Sequence, residues 1–381
     1  MSKRILFFLL FLFEGSQVGL FIMLPYIQKD LNINIFYVGI YGMILAVSSI
    51  VCTFFSAPLA DKIGNRRVIL ISVVSGFISW VLLVTASTPI HVGLAFAVSG
   101  ITTGLFDPLG NALVALMSTP QTRGKSLGDY KAIGDMGKFS MTSAITAIIA
   151  IYYWRTTSVV LAIFSGVLVA FFIINKTRSH SKLGNNQKDT QTNFESLFHQ
   201  KRFMFTLIAG VCDSFASSSL FIFLPFLLIP KGIDMGTAGY ITSIFFIGYF
   251  VGRLSLGRMS DIFGASRMLI IGEVFMALLI IMAINLQSYW VIMIDIFLLG
   301  IFTAGTSPVV KAMTAESLEQ HQYKHGFGLY SSVMKTVNII SRPVFGFVAA
   351  YFGIQATFYL ASGVALITII PTAIYDRLKG S

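Results

Sequence analysis

Long apolar runs alternate with short polar breaks along the whole chain. The runs fall at roughly 5–27, 36–60, 68–88, 91–117, 131–153, 156–176, 203–229, 236–259, 267–287, 289–315, 327–352 and 354–376. Each is close to the ~20 residues that a helix needs to cross a bilayer. The pattern predicts an all-α membrane protein with twelve transmembrane helices. The longest polar stretch begins at NKTRSHSKLGNNQ and divides the spans six and six. Two six-helix bundles are therefore expected, over 1–176 and 203–381, joined by a cytoplasmic linker over 177–202.

Composition agrees. The 381 residues are 55% hydrophobic and only 11% charged, and the mean hydropathy of +0.80 lies outside the soluble range. The basic residues fix the orientation. Lys3 and Arg4, Lys62, Arg66 and Arg67, Arg123 and Lys125, the linker bases, Arg258 and Arg267, Lys324, and Arg377 and Lys379 all fall on one side of successive spans. The other side holds little beyond Lys29, Arg155 and Lys231. Both termini are thus expected in the cytoplasm, and the net charge of +11 is a topology signal that asks for no nucleic-acid partner. The first run follows Lys3 and Arg4 as a signal peptide would. It contains Glu14 and Gln17 and lacks a small-residue cleavage site, so it reads as a span. Cys52 and Cys212 both lie within spans, which indicates neither a disulfide framework nor a metal site.

The two halves are in register. LADKIGNRRVIL, residues 59–70, returns as MSDIFGASRMLI, residues 259–270, with Asp61, Gly64 and Arg67 repeated as Asp261, Gly264 and Arg267. The same offset of 200 pairs Pro25 with Pro225, Gly39 with Gly239, Pro108 with Pro308, Gly128 with Gly328 and Tyr130 with Tyr330. Such matches without a gap argue for internal duplication. Twelve spans in two repeats, with an acid, a glycine and bases after the second span of each, resemble the major facilitator superfamily. Its signature G-x-x-x-D-x-x-G-[RK]-[RK] is matched by Asp61, Gly64, Arg66 and Arg67, with Ala57 in place of the leading glycine and Asn65 standing between Gly64 and the two bases. The second copy keeps that glycine as Gly257. The resemblance implies a secondary transporter working by alternating access, with these loops as conformational gates. Asp61 stands at the negative end of its own helix dipole. It is therefore expected to pair with Arg67 or with a neighbouring helix N-terminus, and the resemblance implies a contact to span 11. Gly64 would allow the tight turn.

Ionisable residues inside the spans carry the candidate chemistry: Glu14, Asp107, Asp135, Lys138, Asp213, Arg253, Glu273, Asp295, Lys311, Lys335 and Arg342. Eight of these left uncompensated would cost about 20–28 kcal/mol, more than the usual net stability, so they must be paired or line a wet cavity. Lys131, Asp135, Lys138 and Thr142 share one helical face, as do Lys335, Asn338 and Arg342. Under the offset the two faces are equivalent, as expected for helices lining a central site at the repeat interface. Asp107 and Asn111 in span 4, Lys311 in span 10 and Gln17 in span 1 add to it. The expected substrate ligands are Lys138, Lys311, Lys335, Arg342, Asn338, Asn111 and Gln17. The expected proton carriers are Glu14, Asp213, Asp135 and Asp107, since a carboxyl in low dielectric can load and release a proton. Glu273, in an outer span of the resembling fold, is expected to have a structural partner near the cytoplasmic interface.

Several bases in central helices favour an anionic or zwitterionic solute, for instance a polycarboxylate such as a siderophore. Drug/proton antiporters of the family commonly carry G-P-x-x-G-G in span 5, whereas this chain reads GDMGKFSMTSAITA there. Proton-coupled export from a bacterial inner-membrane monomer is the leading expectation. Proton-coupled uptake, a multidrug antiporter for lipophilic cations, and a non-transporting receptor or scaffold are the alternatives. No G-x-x-x-x-G-K-[ST], H-E-x-x-H or G-x-S-x-G pattern occurs, so neither an enzyme nor a cofactor is expected.

Overall fold

A computed structural model describes residues 3–119, 123–174, 200–319 and 322–380. Nearly all of the 177–202 linker, and the side chains of Arg123, Lys125, Lys324 and Lys379, lie outside this description.

The first half contains α1 (Lys3–Leu31), α2 (Phe36–Ile63), α3 (Asn65–Val84), α4 (Pro89–Leu116), α5 (Arg123–Tyr152) and α6 (Trp154–Ile174). The second contains α7 (Lys201–Ser217), α8 (Leu220–Leu228), α9 (Met235–Phe263), α10 (Ala265–Asn285), α11 (Tyr289–Glu316), α12 (Tyr323–Phe352), α13 (Ile354–Ile367) and α14 (Ile369–Gly380). The seventh and twelfth spans are each broken once, giving α7–α8 and α13–α14, and twelve crossings result. Ten are long and apolar enough to cross a membrane by length and composition. The other two, α5 and α12, are 30 residues each and carry the polar faces.

Helix contacts divide the chain into two compact units. One holds α1–α6 with Asp234–Ser243, a short exception to the division expected from the sequence; the other holds α7–α8 and the chain from Ile244 onward. In the first, Leu6, Leu10, Phe13, Val68, Val73 and Phe106 belong to one buried core. In the second, Ala209, Leu256, Met268, Val309 and Met313 do the same.

The duplication appears in the packing. A Cβ on Gly100 would sit 2.4 Å from the Leu45 carbonyl oxygen, and one on Gly300 would sit 2.1 Å from that of Phe245. These are the same pair displaced by 200 residues, so α2 meets α4 as α9 meets α11, backbone to backbone. Gly64 and Gly264 have φ of 92° and 90°, where a side chain would be strained. Each donates its N–H to the carbonyl four residues back, Ala60 or Ser260, and opens the next helix. Glycine is required there, as the loop reading expects. A third equivalence joins Gly353, φ 89°, to Tyr153, φ 77°, at the junctions before α13 and α6. Tyr153 holds this unusual backbone while its hydroxyl donates to Asp30, which also accepts from Arg155.

Candidate functional site

In the first unit, glycines bring the charges together. A Cβ on Gly15 would lie 2.5 Å from the Gly137 carbonyl oxygen, and one on Gly137 would lie 2.1 Å from that of Phe11. With the backbones of α1 and α5 this close, Glu14 reaches the polar face of α5. Lys138 Nζ lies 3.2 Å from Glu14 Oε2 and 3.2 Å from Asp135 Oδ1, and Lys131 Nζ lies 3.9 Å from Glu14 Oε1. Asp135 is buried at 2% exposure, whereas Glu14 and Lys138 retain 16% and 17%. Two acids and two bases thus form a charge-balanced network with one side open. Lys131, half exposed, joins it at the longest of the three distances.

The other expected residues of this half are less converged. The Asn111 amide is committed to the Asp107 carbonyl oxygen within α4, at 2.7 Å. Gln17 is half-buried, and its side chain makes no hydrogen bond among the described residues. A separate pocket bounded by Ser16, Ser79, Trp80, Ser99, Thr102 and Phe164 contains hydroxyls but no charged side chain.

In the second unit, Lys311 and Lys335 are exposed on α11 and α12, and Asn338 and Arg342 are half-buried. Lys335 makes no hydrogen bond or ion pair among the described residues. Arg253 lies over the Tyr249 ring, 5.2 Å from its centroid. Three acids here are as deeply buried as Asp135. Asp213 on α7 is 3% exposed, Glu273 on α10 is 0% and Asp295 on α11 is 2%. Glu273 does not find the cytoplasmic partner expected of it. It faces Asp213, another acid, with the Thr306 hydroxyl beside them. The physical reason is depth: Glu273 lies two turns inside α10, beyond the reach of the interfacial bases.

In the gate loops one of the two partners expected for Asp61, Arg67, is not paired with it. Asp61 and Arg67 are both exposed and form no ion pair among the described residues. Water can compensate Asp61 there, and an exposed pair would gain little. Arg66 is the engaged base, donating to the Phe172 carbonyl oxygen of α6 at 2.6 Å. At the equivalent position, Ser266 donates to Asp376 of α14 at 2.6 Å. Asp261 and Arg267 are exposed as well.

Known proteins resemble the chain along most of its length. It is 24% identical over 354 residues to multidrug resistance protein MdtG of Proteus mirabilis (strain HI4320), covering 90% of this chain and 86% of that one. It is 26% identical over 386 residues to quinolone resistance protein NorA of Staphylococcus aureus (strain MRSA252), covering 97% and 96%. Among solved structures, a mutant of the nucleoside transporter NupG superposes with a TM-score of 0.81 at 14% identity, covering 98% of this chain and 100% of that one. A bacterial homolog of the human lysosomal transporter Spinster, inward-facing and occupied, superposes with a TM-score of 0.76 at 11% identity, covering 98% and 96%. At these identities the superpositions establish the fold alone. The Major Facilitator Superfamily model matches residues 6–233 and 206–379, and the chain, a multi-pass membrane transporter and not an enzyme, belongs to that family.

Proposed function

We propose that this transporter exports a small organic anion or zwitterion across the bacterial inner membrane in exchange for protons. It would act as a monomer with both termini in the cytoplasm, by alternating access through the Asp61–Arg67 and Asp261–Arg267 loops. The observation that carries the solute class is Lys335. It is an exposed lysine with no counter-charge among the described residues, on the same helical face as Asn338 and Arg342. A carboxylate or phosphate would supply the acceptors this face calls for. In this reading Lys311 adds charge from α11, and Lys138 is held ready by Glu14 and Asp135 until a solute anion competes for it. Asn111 and Gln17 are neutral contacts. Asp213 carries the proton, while Asp107 borders the network. Export is supported by the resistance functions in the names of MdtG and NorA.

A second reading, a multidrug/proton antiporter for lipophilic cations, is favoured by those same names and by the two acids flanking Lys138. Thermal unfolding of the detergent-purified chain separates the two. A ligand of the folded state present at about 100 times its Kd adds ~2.7 kcal/mol. Stabilisation by di- and tricarboxylates that disappears in Lys335→Ala is the expected result. Stabilisation by lipophilic cations alone, unchanged in Lys335→Ala, would establish the second reading and discard the first.

A further inference from the structure

The buried acid pair of the second unit has no counterpart in the first. Under the 200-residue offset, Asp213, Glu273 and Thr306 correspond to Phe13, Val73 and Phe106. Those three are core residues at 7%, 1% and 0% exposure, and the Phe13 and Phe106 rings pack edge to face at 4.7 Å. The fold therefore builds this junction of helices without charge when chemistry does not ask for any. In the second unit it places two carboxyls there, from α7 and α10, close enough for a proton on either one to bridge to the other. Neither Glu273 oxygen, nor Asp213 Oδ1, receives a hydrogen bond from a donor among the described residues, and each is shielded from solvent. Two carboxylates that lack a bridging donor at such a distance in a dry site cannot both be charged.

The neighbours supply no compensating cation. The other titratable groups that act on the pair are the Cys212 thiol on α7 and the Tyr330 hydroxyl on α12. No lysine or arginine is among the groups acting on either carboxyl. Of the helices packed against α7, α13 has Tyr359 as its one ionisable side chain, and it is exposed. Tyr375 on α14 faces Arg202 and Glu316 instead. On α11, Asp295 acts on Lys231, and Lys311 is exposed, as is Lys335 on α12.

We propose that Glu273 and Asp213 together form a proton-binding site, in which one proton bound to either carboxyl is donated as a hydrogen bond to the other. Loading takes a proton from water and forms one O–H bond, giving the pair a single negative charge. Release returns that proton and requires water to reach the pair, because two facing carboxylates repel one another across α7 and α10. Glu273, on a peripheral helix, would then make the packing of α10 against α7 sensitive to protonation. The role in coupling rests on the proton-exchange reading above; the site itself does not.

Infrared spectroscopy of the purified full chain tests the site without a substrate. The wild type should show a protonated carboxyl band that moves in heavy water and fades as the pH is raised. The band should move in Asp213→Asn, Glu273→Gln and Glu273→Asp, since the remaining buried carboxyl keeps a proton but loses or changes its partner, and should be lost in the double variant Asp213→Asn with Glu273→Gln. The side-chain amide replacements are nearly isosteric, and a melting curve confirms that each variant is folded. A band left unchanged in folded Glu273→Gln would overturn the proposal, whatever the protein transports. Conversely, if the band behaves as expected and a pH gradient still drives carboxylate flux fully in Glu273→Gln, the site stands and the proton-exchange reading falls.

Discussion

Removing Lys138 tests whether the charge network of the first unit is a brace, a solute anchor, or both. In Lys138→Ala, Asp135 stays 2% exposed and loses the cation 3.2 Å away, whereas Glu14, at 16% exposure, keeps Lys131 at 3.9 Å. Breaking one partner out of a buried pair costs about 3–5 kcal/mol. The partial exposure of Lys138 places the expected loss near the lower end, about 3 kcal/mol. The compensating double variant Asp135→Asn with Lys138→Met removes both charges and should recover to within about 1 kcal/mol of wild type. Thermal melting in detergent reads all of these, with Asp135→Asn alone completing the cycle. If Lys138 also contacts the solute, the recovered double variant will melt like wild type without ligand but gain nothing from carboxylates. Equal melting of Lys138→Ala and wild type would refute the brace, and full ligand stabilisation of the double variant would refute the anchor.

Three further outcomes follow from the packing. A Cβ at Gly300 would come 0.9 Å inside the 3.0 Å that real Cβ atoms keep from their neighbours, so Gly300→Ala should cost about 1–3 kcal/mol, and an unchanged melting temperature would contradict the close approach of α9 and α11. Asp234 precedes α9 and accepts from the Thr237 N–H at 2.9 Å; bonds from Thr237 hold its carboxyl below the usual carboxylate range. The folded state thus binds this proton less readily than the unfolded one, so Asp234→Ala should cost about 1 kcal/mol above about pH 4, and its difference from wild type should shrink as acid protonates the folded carboxyl. Replacing the acid pair with apolar side chains, Asp213→Leu with Glu273→Met, should leave the melting temperature unchanged or raise stability by up to about 4 kcal/mol; a loss would mean that the pair is needed to hold α7 to α10.

Much of this architecture was legible because its determinants are local. Apolar run length marks the spans, the 3.6-residue period marks the faces of α5 and α12, and a turn that needs positive φ marks Gly64 and Gly264. The choice of charge partners was not local. Arg66 and Arg67 are adjacent, yet one residue rotates a side chain by about 100° around the helix, and Arg66 is the base that reaches α6. Asp135 was an available partner for Lys138 one turn away, but Glu14 joins them because Gly15 and Gly137 let α1 and α5 touch. The Asp213–Glu273 contact did leave a trace, since the offset that matched Gly64 to Gly264 also sets both acids opposite apolar residues of the first half. The same offset would have matched Tyr153 to Gly353 and suggested an unusual backbone at Tyr153.

The two halves keep the same scaffold and differ in how they handle buried charge. Positions that set helix approach and turns are retained: Gly100 and Gly300, Gly64 and Gly264. Positions that carry charge diverge, so that Asp135 stands opposite Lys335, Lys138 opposite Asn338 and Glu14 opposite Ser214. In the first unit each acid of the network lies within 4 Å of a lysine, and its charge is balanced whatever the proton supply. In the second, Asp213 and Glu273 face each other with no cation among the described residues acting on them, so their charge state depends on a proton from outside. A proton gradient can do work only on a group whose protonation changes the energy of a conformation. If the transporter exchanges its solute for protons as proposed above, the coupling proton belongs to the second unit on that ground, and the first keeps a fixed ionic network for which the solute must compete.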